Sequence, residues 1–224
     1  MPTEALINVN GDSVQALEIL FLTTILMLLP SLIIMMTSFT RYVVVFSFLR
    51  TAMGTQQTPP NMVLVGMALI LTLFTMSPTL GEINEEAFIP YQQEEITQEE
   101  FFQRAQVPLK RFMGKCTELS SMQMYCDMTG TPAPESPEEA ENLPLTVVIP
   151  AFVTSELKKA FSLGFLLYIP FVLIDMVVAS TLMSMGMVML PPSMVSTPFK
   201  LLLFIMLDGW QLLFSTLVAG YGFG

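Results

Sequence analysis

Four charged side chains lie within or beside long apolar stretches of this sequence, and they are the residues best placed to do chemistry. They are Glu156, Asp175, Lys200 and Asp208. Charges in such surroundings usually face the interior of a helix bundle and pair with one another. They could form a path for protons or ions, or plain ion pairs between helices or subunits. Because the chain has no histidine and no row of acids along one helix, the ion-pair interpretation is favoured.

Lys200 is the only base in residues 160–224, so two acids compete for it. We expect it to bridge Glu156 or Asp175, either within one copy of the chain or between neighbouring copies. The adjacent Lys158–Lys159 pair offers Glu156 a local alternative. A buried ion pair of this kind would specify assembly more than it would stabilise the fold.

The chain has 19 methionines, and four of them alternate with period two just before Pro191–Pro192. A helix repeats every 3.6 residues, so this alternation does not form one helical face. Together with Gly186 it predicts a short non-helical loop that presents soft, adaptable side chains to one place. Ordinary core or lipid-facing methionine is the alternative. The alternating residues are Met183, Met185, Met187 and Met189.

The sequence offers no catalytic constellation. It contains no nucleotide-binding, zinc-protease or nucleophile-elbow motif. On one continuous helix Cys116 and Cys126 would lie about 15 Å apart, which is too far for a disulfide. A helix break at Ser120 or Ser121 would permit one. The sequence leaves both a disulfide and two free thiols open. Two thiols without histidine make a poor zinc site. We therefore expect no metal, no cofactor and no enzymatic activity.

The composition excludes further classes of protein. Of the 224 residues, 53% are apolar and only 12% are charged, with a mean hydropathy of +0.63, whereas soluble domains carry about a quarter charged residues. A net charge of −10 disfavours nucleic-acid binding. Thirteen of the 19 acids lie between Glu82 and Glu141, so the chain is an apolar body with one acidic, water-facing insert.

Four apolar runs are each long enough for a membrane-spanning helix, which needs about 20 residues. The segment Thr37–Asn61 that follows the first run carries Arg41 and Arg50 and no acid. The positive-inside rule places it in the cytoplasm as a loop, which puts the acidic insert outside. The runs are Leu17–Met36, Met62–Leu80, Phe161–Met185 and Leu201–Gly220.

The acidic insert is predicted to be partly helical. Thr97 and Glu100 have capping-box spacing and predict a helix from Gln98, which Pro108 should kink or interrupt. The stretch Thr129–Asn142 is rich in proline and acid and is predicted to be a solvated loop without a core.

These features predict an all-α membrane protein of kinked hydrophobic helices with an acidic extramembrane helical insert. The expected organisation has three parts. Residues 1–80 hold the N-terminal hydrophobic helices, residues 81–148 the insert, and residues 149–224 the C-terminal hydrophobic helices with the methionine-rich loop.

Several long blocks of the sequence resemble the FliP/SctR family of type III secretion export gates. The string TQQTPPN that ends at Asn61 and the string MVMLPP that begins at Met187 favour the flagellar branch over the virulence branch. The insert Gly81–Asn142 carries no block of the family. The blocks are Met36–Tyr42, Leu49–Asn61, Ile149–Phe161, Ile174–Ser180, Met185–Pro192 and Pro198–Trp210.

The resemblance implies a core subunit of the flagellar export gate in the bacterial inner membrane, with the insert on the periplasmic side. Family members assemble, typically as about five copies, with FliQ and FliR, and work with FlhA and FlhB while unfolded flagellar subunits pass through. The family's pore gasket falls by position on Met187, Val188 and Met189, with Val188 where methionine is commoner. The resemblance also implies helices lifted toward the periplasm in hairpins rather than four simple spans through lipid.

Two other classes are weighed beside this one. A small-solute or ion transporter or channel subunit would need an inverted repeat and a midplane binding site, and the two apolar halves show no convincing self-similarity. A membrane scaffold without a conduit is the third class.

Overall fold

The structure, a computed structural model, describes residues 7–9, 12–14, 20, 23–24, 27–28, 30–31, 34–55, 57–134 and 136–222. Helices make up most of this part of the chain, as predicted. One feature that the sequence analysis did not predict is a short antiparallel hairpin of β1 (Ile7–Val9) and β2 (Asp12–Val14). Ten of the 20 residues of the first apolar run, Leu17–Met36, lie outside the described residues, so its predicted span stays a prediction.

Helix α1 (Phe39–Met53) occupies the segment that was predicted to be a cytoplasmic loop. The prediction of a loop is wrong, because the segment is a helix at the centre of the apolar core, whereas its cytoplasmic side stays a prediction. Its four central apolar side chains have helical spacing and are fully buried, and Gly54 ends the helix in the left-handed conformation at φ +74°. The buried side chains are Tyr42, Val45, Phe46 and Leu49.

Helix α2 (Asn61–Ile83) begins directly after Pro60, which acts as its N-cap residue. A π-helical turn, Asn84–Phe88, and the short helix α3 (Ile89–Gln92) continue it. The resulting helix of 32 residues is long and apolar enough to cross a membrane, so the second apolar run was predicted correctly as a helix.

Helix α4 (Gln98–Cys116) opens the insert with the predicted capping box. The Thr97 side chain accepts a hydrogen bond from the Glu100 N–H, and the Glu100 carboxylate accepts one from the Thr97 N–H at 2.8 Å. The helix continues through Pro108, so of the two predicted effects of this proline, a kink or an interruption, the interruption does not occur. Helix α5 (Leu119–Thr129) follows and ends at Gly130, whose φ is +67°.

The stretch after α5 is not wholly a solvated loop. Its second part folds into a 3₁₀ helix, Pro137–Asn142, and the Ala140 side chain is fully buried in a second hydrophobic cluster with residues of α4 and of the long helix that follows. A Cβ at Gly114 would lie 2.6 Å from the Ala140 Cβ. A glycine and an alanine therefore allow this close approach, which composition alone did not indicate.

Helix α6 (Leu145–Ser184) has 40 residues, or roughly 60 Å at 1.5 Å per residue. It begins after Pro144, well before the third apolar run, and continues past Pro150 and Pro170. It packs against α1 so closely that a Cβ at Gly164 would lie 2.6 Å from the Phe48 ring.

Helices α7 (Pro192–Met206) and α8 (Gly209–Ala219) replace the predicted single run. They meet at an angle of 63°. Asp208 at the break is left-handed with φ +47°, and a Cβ at Gly209 would lie 2.3 Å from the Phe204 ring. Within the described residues two helices could cross a membrane, or three if this bent pair counts as one span, where four had been predicted.

Candidate functional site

The methionine-rich segment forms a non-helical loop between α6 and α7, as the sequence predicted. Two backbone hydrogen bonds close α6. The Gly186 N–H donates to the Met183 carbonyl at 3.1 Å and the Met187 N–H donates to the Leu182 carbonyl at 3.0 Å. This is the Schellman pattern, which needs a left-handed residue, and Gly186 has φ +75°.

The three candidate gasket residues follow directly and are turned outward. The exposed fraction is 36% for Met187, 78% for Val188 and 97% for Met189. Pro192 occupies the first turn of α7 and restarts helix. Apolar side chains exposed together on one short loop are typical of contact surfaces.

The structure brings two of the predicted charged residues together. Lys200 Nζ lies 2.6 Å from Asp175 Oδ2 and donates to the Ala52 carbonyl at 3.1 Å. The Ser196 hydroxyl donates to Asp175 Oδ1 at 2.6 Å. This Asp175 cluster joins α7 to α6 and to the end of α1. The Lys200 side chain is 7% exposed, whereas that of Asp175 is 40% exposed.

Glu156 lies in a different cluster and does not meet Lys200 in this chain. Its partner is Arg41 of α1, which the sequence analysis had assigned to a loop. Arg41 Nε donates to Glu156 Oε2 at 2.8 Å, and Arg41 Nη2 contacts Glu156 Oε1. Both residues are almost completely buried. The sequence did hold a signal for this pair. A glutamate in an apolar stretch needs a cation as its partner, and residues 1–80 contain only two bases, of which Arg41 is one.

The segment after α8 completes the Glu156 cluster. The Tyr221 hydroxyl donates to Glu156 Oε2, and the Arg41 guanidinium carbon lies 3.8 Å from the centroid of the Tyr221 ring. Arg41 Nη1 also donates to the Gly220 carbonyl at 3.4 Å. Glu156, Arg41, Gly220 and Tyr221 are called the Glu156 cluster below.

The lysines beside Glu156 have other partners. Lys158 Nζ lies 2.5 Å from Glu118 Oε2, and this contact lowers the pKa of the Glu118 carboxyl. Lys159 Nζ donates to the Cys116 carbonyl at 2.6 Å. Both lysines therefore tie α6 to the insert rather than neutralise Glu156.

The two cysteines are free thiols in the described structure. Burial raises the pKa of the Cys116 thiol to about 12, so this thiol stays protonated near neutral pH and is a poor nucleophile. Within the described part of the chain, no group of three histidine, cysteine, aspartate or glutamate side chains could hold a metal ion.

Comparison with known proteins gives a consistent family relationship. The pattern of the FliP family matches residues 22–217. The flagellar biosynthetic protein FliP of Aquifex aeolicus is 49% identical over 212 residues, which cover 95% of this chain and 88% of that protein. Its namesake in Bacillus subtilis is 47% identical over 207 residues, covering 92% of each chain. That of Pectobacterium carotovorum is 44% identical over 219 residues, covering 98% of this chain and 84% of the relative.

Proposed function

The chain belongs to the FliP family, and we propose that it is a core subunit of the flagellar type III protein export gate. In this role it forms part of the conduit through which unfolded flagellar subunits cross the inner membrane. Family membership supports the flagellar assignment. In this role the protein lets polypeptides pass and seals the conduit against ions, and it does not catalyse a reaction.

The observation that carries the proposal is the exposed apolar loop at the tip of the α6–α7 hairpin. Met189 is almost fully solvent-exposed in the isolated protomer, an unfavourable position for a thioether side chain unless something covers it. A ring of such loops from about five copies would place Met187, Val188 and Met189 around one axis. Flexible methionines can close around irregular shapes, so the ring would block ions and yield to a polypeptide.

The proposed partners cover the remaining apolar surface. Helices α2, α6 and α7 each expose several large apolar side chains, more than a water-facing protomer would leave open. We assign this surface to further copies of the chain, to FliQ and FliR, and to membrane lipid, with FlhA and FlhB as neighbours in the same machinery.

The proposed location is the inner membrane, with the acidic insert on the periplasmic side. The insert carries most of the negative charge and belongs in water. Because Arg41 is buried in an ion pair, Arg50 is left as the base that supports this orientation by the positive-inside rule. A cysteine introduced at Thr131 should react with a membrane-impermeant maleimide added from the periplasmic side. The native Cys116 and Cys126 are buried and should not react.

The charged residues have a proposed part in assembly. The Asp175–Lys200 pair joins α6 to α7, and the exposed side of Asp175 remains available to a neighbouring copy or helix. Glu156 is paired with Arg41 in the protomer. If Glu156 also pairs with a base of a neighbouring subunit, its carboxylate must bind that base and Arg41 at the same time.

Native mass spectrometry of the complex purified from membranes tests the function. A ring of several copies with co-purified neighbouring subunits is the expected result. A stable monomer or dimer that binds a small solute would contradict the export-gate assignment and support a transporter. If the ring forms in the wild type but not in Lys200→Ala, the result would also show that Lys200 acts in assembly.

A further inference from the structure

We propose that Tyr221 is a positioning residue that fixes the acidic insert against the apolar helices. Its side chain packs against both hydrophobic clusters of the protomer. The partners are Arg41 and Tyr42 of α1, Phe112 of α4 and Glu156 of α6. This goes beyond the export role, because it concerns how the extramembrane part is held to the rest of the protein.

The Tyr221 ring is packed on three sides. The Arg41 guanidinium carbon lies 3.8 Å from the ring centroid. The Phe112 ring stacks in parallel with it, with centroids 5.9 Å apart and planes inclined by 16°. The Tyr42 ring meets its edge at 5.8 Å. Cation–π and aromatic contacts of this kind stabilise a fold beyond the burial of apolar area alone.

These three neighbours come from different parts of the fold. Tyr42 belongs to the cluster around α1, whereas Phe112 belongs to the cluster around α4 and is also 5.9 Å from the Phe152 ring. Tyr221 packs against both clusters. A single side chain therefore bridges the insert and the apolar helices, in addition to the direct packing of α4 on α6.

Polar contacts fix where the Tyr221 ring sits. The hydroxyl donates to Glu156, and the Gly220 carbonyl beside it accepts a hydrogen bond from Arg41. Burial raises the pKa of the Tyr221 hydroxyl far above its usual range, so the group remains a donor at any physiological pH. A Cβ at Gly220 would lie 3.1 Å from Arg41 Nη1, so a larger residue there would crowd the guanidinium.

Substitutions can separate the contribution of the Tyr221 ring from that of its hydroxyl. Tyr221→Ala removes both the bridge and the donor. Tyr221→Phe keeps the bridge and removes only the donor to Glu156. Tyr168→Ala is a matched control, because Tyr168 is a half-buried tyrosine that packs against the α1 cluster alone.

Hydrogen exchange of the purified protein, read by mass spectrometry on peptides of α4, tests the proposal. We expect Tyr221→Ala to speed exchange around Phe112 at least about tenfold, because that segment loses a packing partner and opens locally. Tyr221→Phe should restore most of the protection, and Tyr168→Ala should leave α4 unchanged. Unchanged α4 exchange in Tyr221→Ala, or equal loss in Tyr221→Phe, would overturn the proposal.

The reciprocal variant keeps the test decisive if Tyr221→Ala does not fold. Phe112→Ala removes the bridge from the insert side without substituting any residue of the Glu156 cluster. It should speed exchange at Gly220–Gly222 and in the first turn of α1, with α2 unaffected. Exchange confined to α4 itself would mean that the two clusters are not coupled through Tyr221. Because the measurement reads the fold of the purified protein, it does not depend on whether the protein exports anything.

Discussion

The two halves of helix α6 differ sharply in what surrounds them. The first half, residues 145–164, has eight buried residues, whereas the second, residues 165–184, has only Phe171 and Leu182. The first half encloses Glu156 with Arg41. The second half carries Asp175, whose side chain is 40% exposed, and leads into the open methionine-rich loop.

The difference shows that one helix serves two purposes. Its first half is the interior of the protomer, where every charge has a partner from the same chain. Its second half is more apolar, with 15 apolar residues against 11 in the first half, and is mostly uncovered. This is the surface that we propose to be covered by lipid or by other subunits. The predictions below measure how far the two halves can be perturbed independently, from the largest expected effect to the smallest.

Breaking the Glu156 cluster should have the largest effect on the protomer. Arg41→Met leaves a buried carboxylate without its cation, which costs about 3–5 kcal/mol of the free energy of unfolding. Thermal denaturation of the purified protein measures this. Arg50→Met is the matched control, since among the described residues the Arg50 side chain binds only Asn61 and the Pro59 carbonyl. Equal stability of the two variants would mean that the first half does not depend on this pair.

Filling the contact between α6 and α1 should have the next effect. In Gly164→Ala the new methyl group would lie 2.6 Å from the Phe48 ring, and such overpacking costs about 1–3 kcal/mol. Gly66→Ala is the control, because a Cβ there would meet no described atom within 4 Å. The control should be neutral or stabilising by up to about 1 kcal/mol, since alanine is the better helix former. Destabilisation by both variants would contradict a specific close contact.

Breaking the Asp175 cluster should weaken the protomer less and the assembly more. Lys200→Ala leaves a half-exposed carboxylate that still accepts from Ser196, so we expect a loss of about 1–2 kcal/mol and a lower yield of assembled ring. The charge swap Asp175→Lys with Lys200→Asp should restore part of that yield. Normal assembly of Lys200→Ala with export alone reduced would show that Lys200 acts in the conduit instead.

Changing the cap of α6 should have a small effect on the protomer. Gly186→Ala forces a side chain into a left-handed conformation, at a cost of about 1–2 kcal/mol, and misdirects the loop that follows. Circular dichroism should change little while ion leak through the assembled complex rises. A variant with wild-type leak would show that the loop's direction is not set by this cap.

The sequence predicted the second half of helix α6 and the loop after it better than it predicted the first half. The apolar run before the loop, the non-helical backbone around Gly186 and the soft side chains beyond it follow from hydropathy, periodicity and glycine chemistry. The capping box at Thr97 was predicted for the same reason, since each depends on neighbouring residues alone.

Features that depend on distant partners were missed. Helix α1 has only 15 residues and two arginines, so hydropathy treated it as a loop although it is the centre of the core. Arg41 became visible as a structural residue only when α6 brought Glu156 beside it. The break at Asp208 and the burial of Ala140 likewise depend on packing against Phe204 and Gly114, which no single-sequence pattern reports.

Ion leak through the assembled complex tests the central claim, that the exposed loop at the end of α6 seals a conduit. Deleting Met187–Met189 should raise the leak while leaving the copy number of the ring unchanged. A deletion of equal length in the insert, Thr131–Ala133, should leave the leak at its wild-type level. An assembled complex that lacks Met187–Met189 and leaks no more than wild type would contradict the account.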